Sequence, residues 1–199
     1  MVDINNDGWL DIYVSSAGYA YDGEDRRNKM FINKGGKKFV DEAASMGLDD
    51  SLNTTQAAFV DIDNDGDLDC YLLNHIYLRK NTQYFFELNK MRKYPGHDKL
   101  LINENGNFTD KSKDWGISSP GYGQGIVVSD FNQDGWQDIY VANDFEDADR
   151  LYMNNGKGKF NDELKSKTMH LPLFSMGADV GDINNDGLMD LMTVDMANA

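Results

Sequence analysis

Short apolar runs alternate with polar, glycine-containing turns along the whole chain, and this pattern predicts β-strands. The runs are rich in β-branched and aromatic residues and are interrupted by glycine, which suits strands better than helices. Three hairpins show the pattern most clearly, with turns at residues 34–37, 104–106 and 155–158. Glycine and asparagine at these turns supply the positive φ that tight hairpins require. The chain is therefore predicted to be all-β.

A nine-residue pattern, D-x-[DN]-x-D-G-x-x-D, occurs four times, and its surroundings repeat with it. The copies start 58, 69 and 52 residues apart and occupy residues 3–11 (loop 1), 61–69 (loop 2), 130–138 (loop 3) and 182–190 (loop 4). A β-rich run follows each loop, a hairpin follows the first three of these runs, and a short Gly- or Ala-containing strand leads into the next loop. Each unit is therefore predicted to have four short strands, with the acidic loop between the first and second. The approximate units are residues 1–55, 56–124, 125–176 and an incomplete 177–199.

Four-stranded sheets repeated around an axis form a β-propeller, which is the predicted architecture, and an open stack of similar sheets is the alternative. A closed propeller needs roughly four to eight blades, whereas this chain holds about three and a half units. The chain begins at the end of one first strand and stops after a second strand. We therefore expect a fragment of a longer propeller, with unpaired strand edges on its terminal sheets.

The charge of the chain is strongly acidic, with 34 Asp and Glu against 19 Lys and Arg and a formal net charge of −15. This balance argues against binding to nucleic acid or to an anionic membrane surface, because both would repel the chain. Much of the acidic excess lies in the four loops, which favours cations. No apolar run is long enough to span a bilayer. The only cysteine, Cys70, excludes an internal disulfide and is predicted to be a buried strand residue.

The four loops are predicted to bind Ca²⁺, a hard cation that takes roughly six to eight oxygen ligands. Side chains at positions 1, 3 and 5 curl around one ion, glycine at position 6 permits the sharp turn, position 7 offers its backbone carbonyl, and the aspartate at position 9 closes the site. The predicted ligands are Asp3, Asn5, Asp7, Trp9 and Asp11; Asp61, Asp63, Asp65, Asp67 and Asp69; Asp130, Asn132, Asp134, Trp136 and Asp138; and Asp182, Asn184, Asp186, Leu188 and Asp190.

Two alternative metal sites fit these loops less well. An EF-hand requires flanking helices and a bidentate glutamate at position 12, where this chain has strand residues Val14, Leu72, Val141 and Thr193. Magnesium keeps its waters and seldom uses cages made only of protein ligands. Loop 2 has four side-chain carboxylates where each other loop has three and an asparagine, so we expect it to bind calcium most tightly.

The four loops resemble the FG-GAP/VCBS repeats of integrin-α-type β-propellers over nearly the whole chain. A narrower resemblance, to bacterial proteins related to cartilage acidic protein that often carry an ASPIC/UnbV domain, rests on residues 72–75, 140–145, 175–179 and 194–196. The ASPIC/UnbV domain itself is not in this sequence. The resemblance implies a seven-bladed propeller, structural calcium, an exported, periplasmic or cell-surface location, and no enzymatic reaction that carries over.

Three features lie outside the repeat. An insertion at residues 75–98 contains aromatic residues such as Tyr84 and Phe85, which either pack onto their own blade or stack on a sugar or peptide ligand. His75 and His97 are candidate metal ligands, although ordinary hydrogen bonding is the simpler interpretation. The acidic stretch at residues 143–149 is either a solvated loop or an extra cation site without the glycine spacing of the four loops.

The sequence favours a non-catalytic, calcium-stabilised extracellular scaffold that binds a protein or glycan. It has no P-loop, no nucleophile elbow and no H-E-x-x-H motif. The alternatives are a carbohydrate-binding propeller that uses the aromatic insertion and a carbohydrate-active lyase or hydrolase. Nearly every notable aspartate is already assigned to calcium, which leaves few carboxylates for a glycosidase. We expect no nucleic-acid partner, no membrane insertion, and contact with the remaining blades of a longer chain.

Overall fold

The computed structural model describes residues 1–17, 25–75, 97–119, 122–144 and 148–196. Within these ranges the chain is built from short strands, with a one-turn helix after several hairpins. The elements are β1 (Ile12–Val14), β2 (Lys29–Asn33), β3 (Phe39–Asp41), α1 (Ala43–Met46), β4 (Thr54–Val60), β5 (Asp69–Asn74), β6 (Lys99–Glu104), β7 (Asn107–Asp110), α2 (Ser112–Trp115), β8 (Tyr122–Ser129), β9 (Asp138–Asp144), β10 (Arg150–Asn154), β11 (Phe160–Asp162), α3 (Leu164–Lys167), β12 (Ser175–Gly181) and β13 (Asp190–Asp195).

The strands form antiparallel sheets in which neighbours in sequence are neighbours in space. Sheet 1 has the order β1-β2-β3, sheet 2 has β4-β5-β6-β7, sheet 3 has β8-β9-β10-β11, and sheet 4 pairs β12 with β13. Sheets 2 and 3 confirm the predicted unit of four antiparallel strands with the acidic loop between the first and second. An isolated bridge between Val2 and Asp11 continues the same arrangement across loop 1.

In sheets 2, 3 and 4 the first strand begins before the apolar run that is visible in the sequence. These strands begin at Thr54, Tyr122 and Ser175, whereas the sequence units were drawn from residues 56, 125 and 177. The pairing register shifts near the start of each strand, between Thr54 and Gln56 in β4 and at the same place in β8 and β12. A bulge breaks the two-residue alternation of side chains, so the periodic pattern does not extend to the residues before it.

The hydrophobic core lies between sheets, because the middle sheets bury both faces. In β5, Cys70 and Leu72 belong to the cluster shared with sheet 1, whereas Tyr71 and Leu73 belong to the cluster shared with sheet 3. In β9, alternate residues likewise belong to the cluster shared with sheet 2 and to the cluster shared with sheet 4. Side chains on a strand alternate between its two faces, so a strand covered on both sides reads as a continuous apolar run. The buried position expected for Cys70 is confirmed.

One-turn helices follow the fourth strand of sheets 2 and 3 and the last strand of sheet 1, and the sequence pattern did not predict them. Each of α1, α2 and α3 has four residues, which is too short for the helical period of 3.6 to be visible. Gly47 and Gly116 end the first two in the left-handed conformation. In both places the glycine faces a backbone carbonyl of the next sheet, Phe108 and Phe160 respectively. The helices therefore help to join neighbouring sheets.

Replacement of Gly47 by alanine is expected to weaken the contact between sheets 1 and 2. Gly47 has a φ of +80°, and a Cβ there would lie 2.5 Å from the carbonyl oxygen of Phe108. Backbone strain and the clash together should lower the free energy of unfolding by about 2–4 kcal/mol. Gly106→Ala is the matched control, because Gly106 has a φ of +86° but open space around it, so only the strain of roughly 1 kcal/mol applies. Equal losses in denaturant unfolding would contradict a role for the inter-sheet contact.

Candidate metal centres

The turn of each acidic loop depends on two residues with left-handed backbone. Position 6 is glycine in every loop, with φ between +85° and +95°, and open space surrounds each of them. Glycine is therefore required there for its backbone conformation and not for lack of room. Position 4 is also left-handed, with φ between +55° and +59°, and it holds amide residues that tolerate this region: Asn6, Asn64, Gln133 and Asn185.

The aspartates at positions 1 and 5 turn inward because backbone amides of the same loop hold them. In loop 2, Asp61 accepts hydrogen bonds from the backbone N–H groups of Asp65 at 3.2 Å and Gly66 at 3.1 Å. Asp65 in turn accepts from the N–H of Asp67 at 2.9 Å. Equivalent bonds occur in the other three loops. The same few residues therefore fold the loop and gather its carboxylates.

Loop 2 shows the clearest fit to a metal ion. Carboxylate oxygens of Asp61, Asp63 and Asp65 lie within 4.8 Å of one another. One oxygen of Asp63 is buried and has no hydrogen-bond partner. Burial, together with the neighbouring charge of Asp65, raises the pKa of Asp63. A buried, unpaired carboxylate oxygen among other carboxylates is the donor set that Ca²⁺ prefers.

In loops 1 and 3 the asparagine at position 3 donates a hydrogen bond within its own loop. The side-chain N–H of Asn5 donates to Asp7 at 3.1 Å, and that of Asn132 donates to Asp134 at 2.9 Å. Aspartate lacks this donor, so Asp63 leaves an unpaired oxygen where asparagine does not. This difference agrees with the expectation that loop 2 binds calcium most tightly, which stays a prediction.

The aspartate at position 9 joins the loop to the sheet. Asp69 is completely buried and accepts two backbone hydrogen bonds, from Ile62 at 3.0 Å and from Asn103 in β6 at 2.8 Å. Asp11 and Asp138 make the same pair of bonds. Burial raises the pKa of Asp69 to about 7 and that of Asp138 to about 6. A nearby cation would offset the cost of burying these charges.

The residue at position 7 contributes differently in different loops. Its N–H always donates to the position-5 aspartate. The indole rings of Trp9 and Trp136 lie over Gly36 and Gly156 of their own hairpins, where an added Cβ would come within 2.6 Å and 2.5 Å of a ring atom. Each tryptophan therefore packs its loop against the hairpin of the same sheet and leaves its carbonyl as the predicted ligand.

Three hairpin asparagines support the loops, a role that the sequence pattern did not predict. The side chain of Asn103 donates to the carbonyl of Leu68 at position 8, at 3.1 Å, and accepts from the N–H of Gly106 at 2.7 Å. Asn33 and Asn154 make the equivalent bonds. Each lies at or next to the end of the strand that enters a hairpin turn, in β2, β6 and β10, and this shared place was the available signal. Each asparagine connects the metal loop with the hairpin turn.

A second repeated polar cluster lies directly before β2, β6 and β10, and the sequence pattern did not predict it. Asp98 is buried and accepts hydrogen bonds from the hydroxyl of Tyr71 at 2.9 Å and the N–H of Asn74 at 2.8 Å. In sheet 3, Asp149 accepts from Tyr140, Asn143 and Ser175, the last from sheet 4. In sheet 1 the same place holds an asparagine, Asn28, which accepts from Ser16 and donates to Thr54 of sheet 2.

Asp98 is expected to make stability depend on pH, because burial raises its pKa to about 7, above about 4 for an unfolded aspartate. The folded state therefore binds the proton more tightly, and this stabilisation, complete below about pH 4, is lost as the pH rises to about 7. The N–H of Asn74, the hydroxyl of Tyr71 and the charge of Arg150 in sheet 3 favour the charged form, and they reduce this effect without cancelling it. Asp98→Asn should gain stability relative to the unmodified chain between pH 5 and pH 8.

The reciprocal replacement, Asn28→Asp, is the matched control, since the equivalent site of sheet 1 already accommodates asparagine. Asn28→Asp should make the chain less stable than the unmodified chain as the pH rises over the same range. Urea unfolding at each pH in saturating calcium measures both variants. Parallel pH profiles for Asp98→Asn and the unmodified chain would contradict the prediction.

The remaining predicted sites have mixed outcomes. Residues 76–96 of the insertion, including Tyr84 and Phe85, lie outside the described residues, as do residues 145–147 of the acidic stretch. Asp149 of that stretch is engaged by the hydroxyl and amide donors described above. The ring of His75 lies 4.9 Å from that of Tyr122 in an edge-to-face contact. Metal binding by His75 or His97 stays a prediction.

Face-to-face antiparallel sheets, each carrying an acidic loop between its first two strands, define an all-β protein with a propeller-like fold. The chain matches the FG-GAP-like repeat over residues 3–72, 91–141 and 130–193, and it belongs to this family. These matches include all four loops. No curated protein matches the chain. None of the described helices has the length or apolar character needed to cross a membrane.

Proposed function

We propose that the chain is a calcium-binding, non-catalytic β-propeller scaffold of the extracellular type, which presents its surface to a protein or glycan ligand. The observation that carries the proposal is the group Asp61, Asp63 and Asp65, with one buried oxygen of Asp63 left unpaired. Bound calcium would neutralise these carboxylates and hold the loop in its folded form. The donors in every loop would be the side chains at positions 1, 3, 5 and 9 and the carbonyl at position 7.

An exported location agrees with this chemistry, because extracellular calcium is abundant enough to fill sites with dissociation constants of about 10⁻⁴–10⁻³ M. FG-GAP repeats are typical of exported proteins and of scaffolds without catalytic activity. We further propose that the repeats close into a seven-bladed ring and that the chain is related to the cartilage-acidic-protein-like, ASPIC/UnbV-associated proteins. The described residues add no support for the carbohydrate-binding alternative, which depends on the insertion.

Isothermal titration calorimetry with Ca²⁺ and, separately, Mg²⁺ tests the proposal. We expect close to four calcium ions per chain and much weaker binding of magnesium. Asp61→Asn should remove or strongly weaken one site. Asp67→Asn in the same loop is the matched control, because it removes the same charge from position 7, where only the backbone carbonyl is a predicted ligand. No calcium binding, or equal losses in the two variants, would overturn the proposal.

A further inference from the structure

Successive acidic loops contact one another through the side chain at position 4. The amide of Asn64 in loop 2 donates a hydrogen bond to the carbonyl of Gly135 in loop 3, at 3.1 Å. The amide of Gln133 in loop 3 donates to the carbonyl of Gly187 in loop 4, at 2.7 Å. Both contacts therefore run from position 4 of one loop to position 6 of the next.

The accepting peptide group is part of the predicted metal site. The carbonyl of Gly135 accepts from Asn64, while the N–H of Trp136 in the same peptide donates to Asp134 at 3.0 Å. This peptide plane is thus held on one side by the preceding loop and on the other by the position-5 aspartate. The next carbonyl along the chain, that of Trp136, is the predicted ligand. The orientation of that ligand therefore depends on the preceding loop.

The donating residue is equally well placed to respond to a metal ion. Asn64 lies between Asp63 and Asp65, two predicted ligands of loop 2, and its backbone is fixed in the left-handed region. Gln133 lies between Asn132 and Asp134 in the same way. An ion that immobilises the two flanking side chains also immobilises the backbone that carries the amide. The amide then contacts the next loop without a further loss of conformational freedom.

Loops 1 and 2 provide an internal comparison, because this contact is not made between them. Asn6 has the same left-handed backbone, with φ of +55°, but within the described residues its amide makes no hydrogen bond to the carbonyl of Gly66. Instead a cleft of about 550 Å³ lies between the two loops, lined by residues of both, among them Asn5, Asn6, Gly66 and Asp67. The chain therefore contains two linked pairs of loops and one unlinked pair.

We infer that Asn64 and Gln133 are positioning residues that couple calcium binding in loops 2, 3 and 4, whereas loop 1 fills independently. This inference rests on the proposed calcium function. An ion in one loop stabilises the amide contact that orients the carbonyl ligand of the next, and linkage requires the effect to be reciprocal. We expect occupation of loop 2 to raise the affinity of loop 3 by at least about fivefold, the lower end of typical coupling between sites.

Terbium titration can report individual loops, because a tryptophan adjacent to the ion sensitises Tb³⁺ emission. Trp9→Phe first removes the emission that Trp9 sensitises. The emission that is then lost on adding Trp136→Phe reports Tb³⁺ in loop 3. Disabling loop 2 with Asp61→Asn and Asp65→Asn should weaken Tb³⁺ binding at loop 3 by fivefold or more. Asn64→Gly, which keeps the left-handed backbone and removes the amide, should weaken it similarly. The two changes combined should have no additional effect.

Two controls separate the possible outcomes. Asn6→Gly removes an amide at the same loop position without an inter-loop contact, and it should leave loop 3 unchanged. In a Trp136→Phe background, the emission due to Trp9 reports loop 1, which should not respond when loop 2 is disabled. If the Tb³⁺ affinity of loop 3 changes neither when loop 2 is disabled nor in Asn64→Gly, the coupling is wrong. The calcium function would still stand. Failure of the unmodified chain to bind Tb³⁺ or Ca²⁺ would instead overturn the calcium function.

Discussion

Chelation of calcium should lower the melting temperature of the chain by roughly 10–30 °C. An ion that binds only the folded state at about 10 times its dissociation constant, as millimolar Ca²⁺ does at a site of about 10⁻⁴ M, contributes roughly 1.4 kcal/mol. The sequence has four loops, so four bound ions would contribute on the order of 6 kcal/mol if all sites are lost on unfolding. For a chain of this size each kcal/mol corresponds to roughly 2–4 °C.

The structural reason for so large an effect is the concentration of carboxylates in each loop. Without an ion, the oxygens of Asp61, Asp63 and Asp65 face one another within 4.8 Å, and the charge of Asp69 is buried beside them. Differential scanning calorimetry in millimolar Ca²⁺, in millimolar Mg²⁺ and in excess EGTA measures the stabilisation. A melting temperature that is the same in all three solutions would show that the loops fold as ordinary Asp/Asn/Gly turns.

The sequence was sufficient to predict the strands and the loops because both have local signals. The apolar run at Cys70, Tyr71, Leu72 and Leu73 depends only on neighbouring residues, and it indicated a buried strand. The spacing of carboxylates within nine residues likewise limits how the loop can fold, and the left-handed backbone at Gly66 follows from its position. Repetition strengthened both predictions.

The missing parts of the prediction depend on contacts between distant residues. The partner of Asp69 in β6 is 34 residues away, and the partner of Asn64 in loop 3 is 71 residues away. The spacing within a single repeat does not reveal them. Comparison between repeats could have identified the recurring asparagine at Asn33, Asn103 and Asn154, but not the group that it contacts. The one-turn helices lacked a detectable period for the reason given above.

Asp69→Ala should destabilise the chain even without calcium, and this sets it apart from the other ligands of loop 2. Removal of its carboxylate leaves the buried N–H groups of Ile62 and Asn103 without acceptors. Each buried donor left unpaired costs about 1–3 kcal/mol. Relief of the buried charge offsets part of this loss, because burial already raises the pKa of Asp69 to about 7. We expect a net loss of about 2–4 kcal/mol in EGTA.

Asp65→Ala is the matched comparison because it removes a carboxylate from the same loop at an exposed position, where Asp65 accepts one hydrogen bond, from Asp67. In EGTA it should lose less than about 1 kcal/mol, since water replaces the exposed acceptor. In calcium both variants should additionally lose the contribution of one ion. Urea unfolding in both solutions separates the two roles, with Asp69 joining loop to sheet and Asp65 mainly binding metal. Equal losses in EGTA would contradict this division, because two buried backbone donors depend on Asp69 and only one exposed donor depends on Asp65.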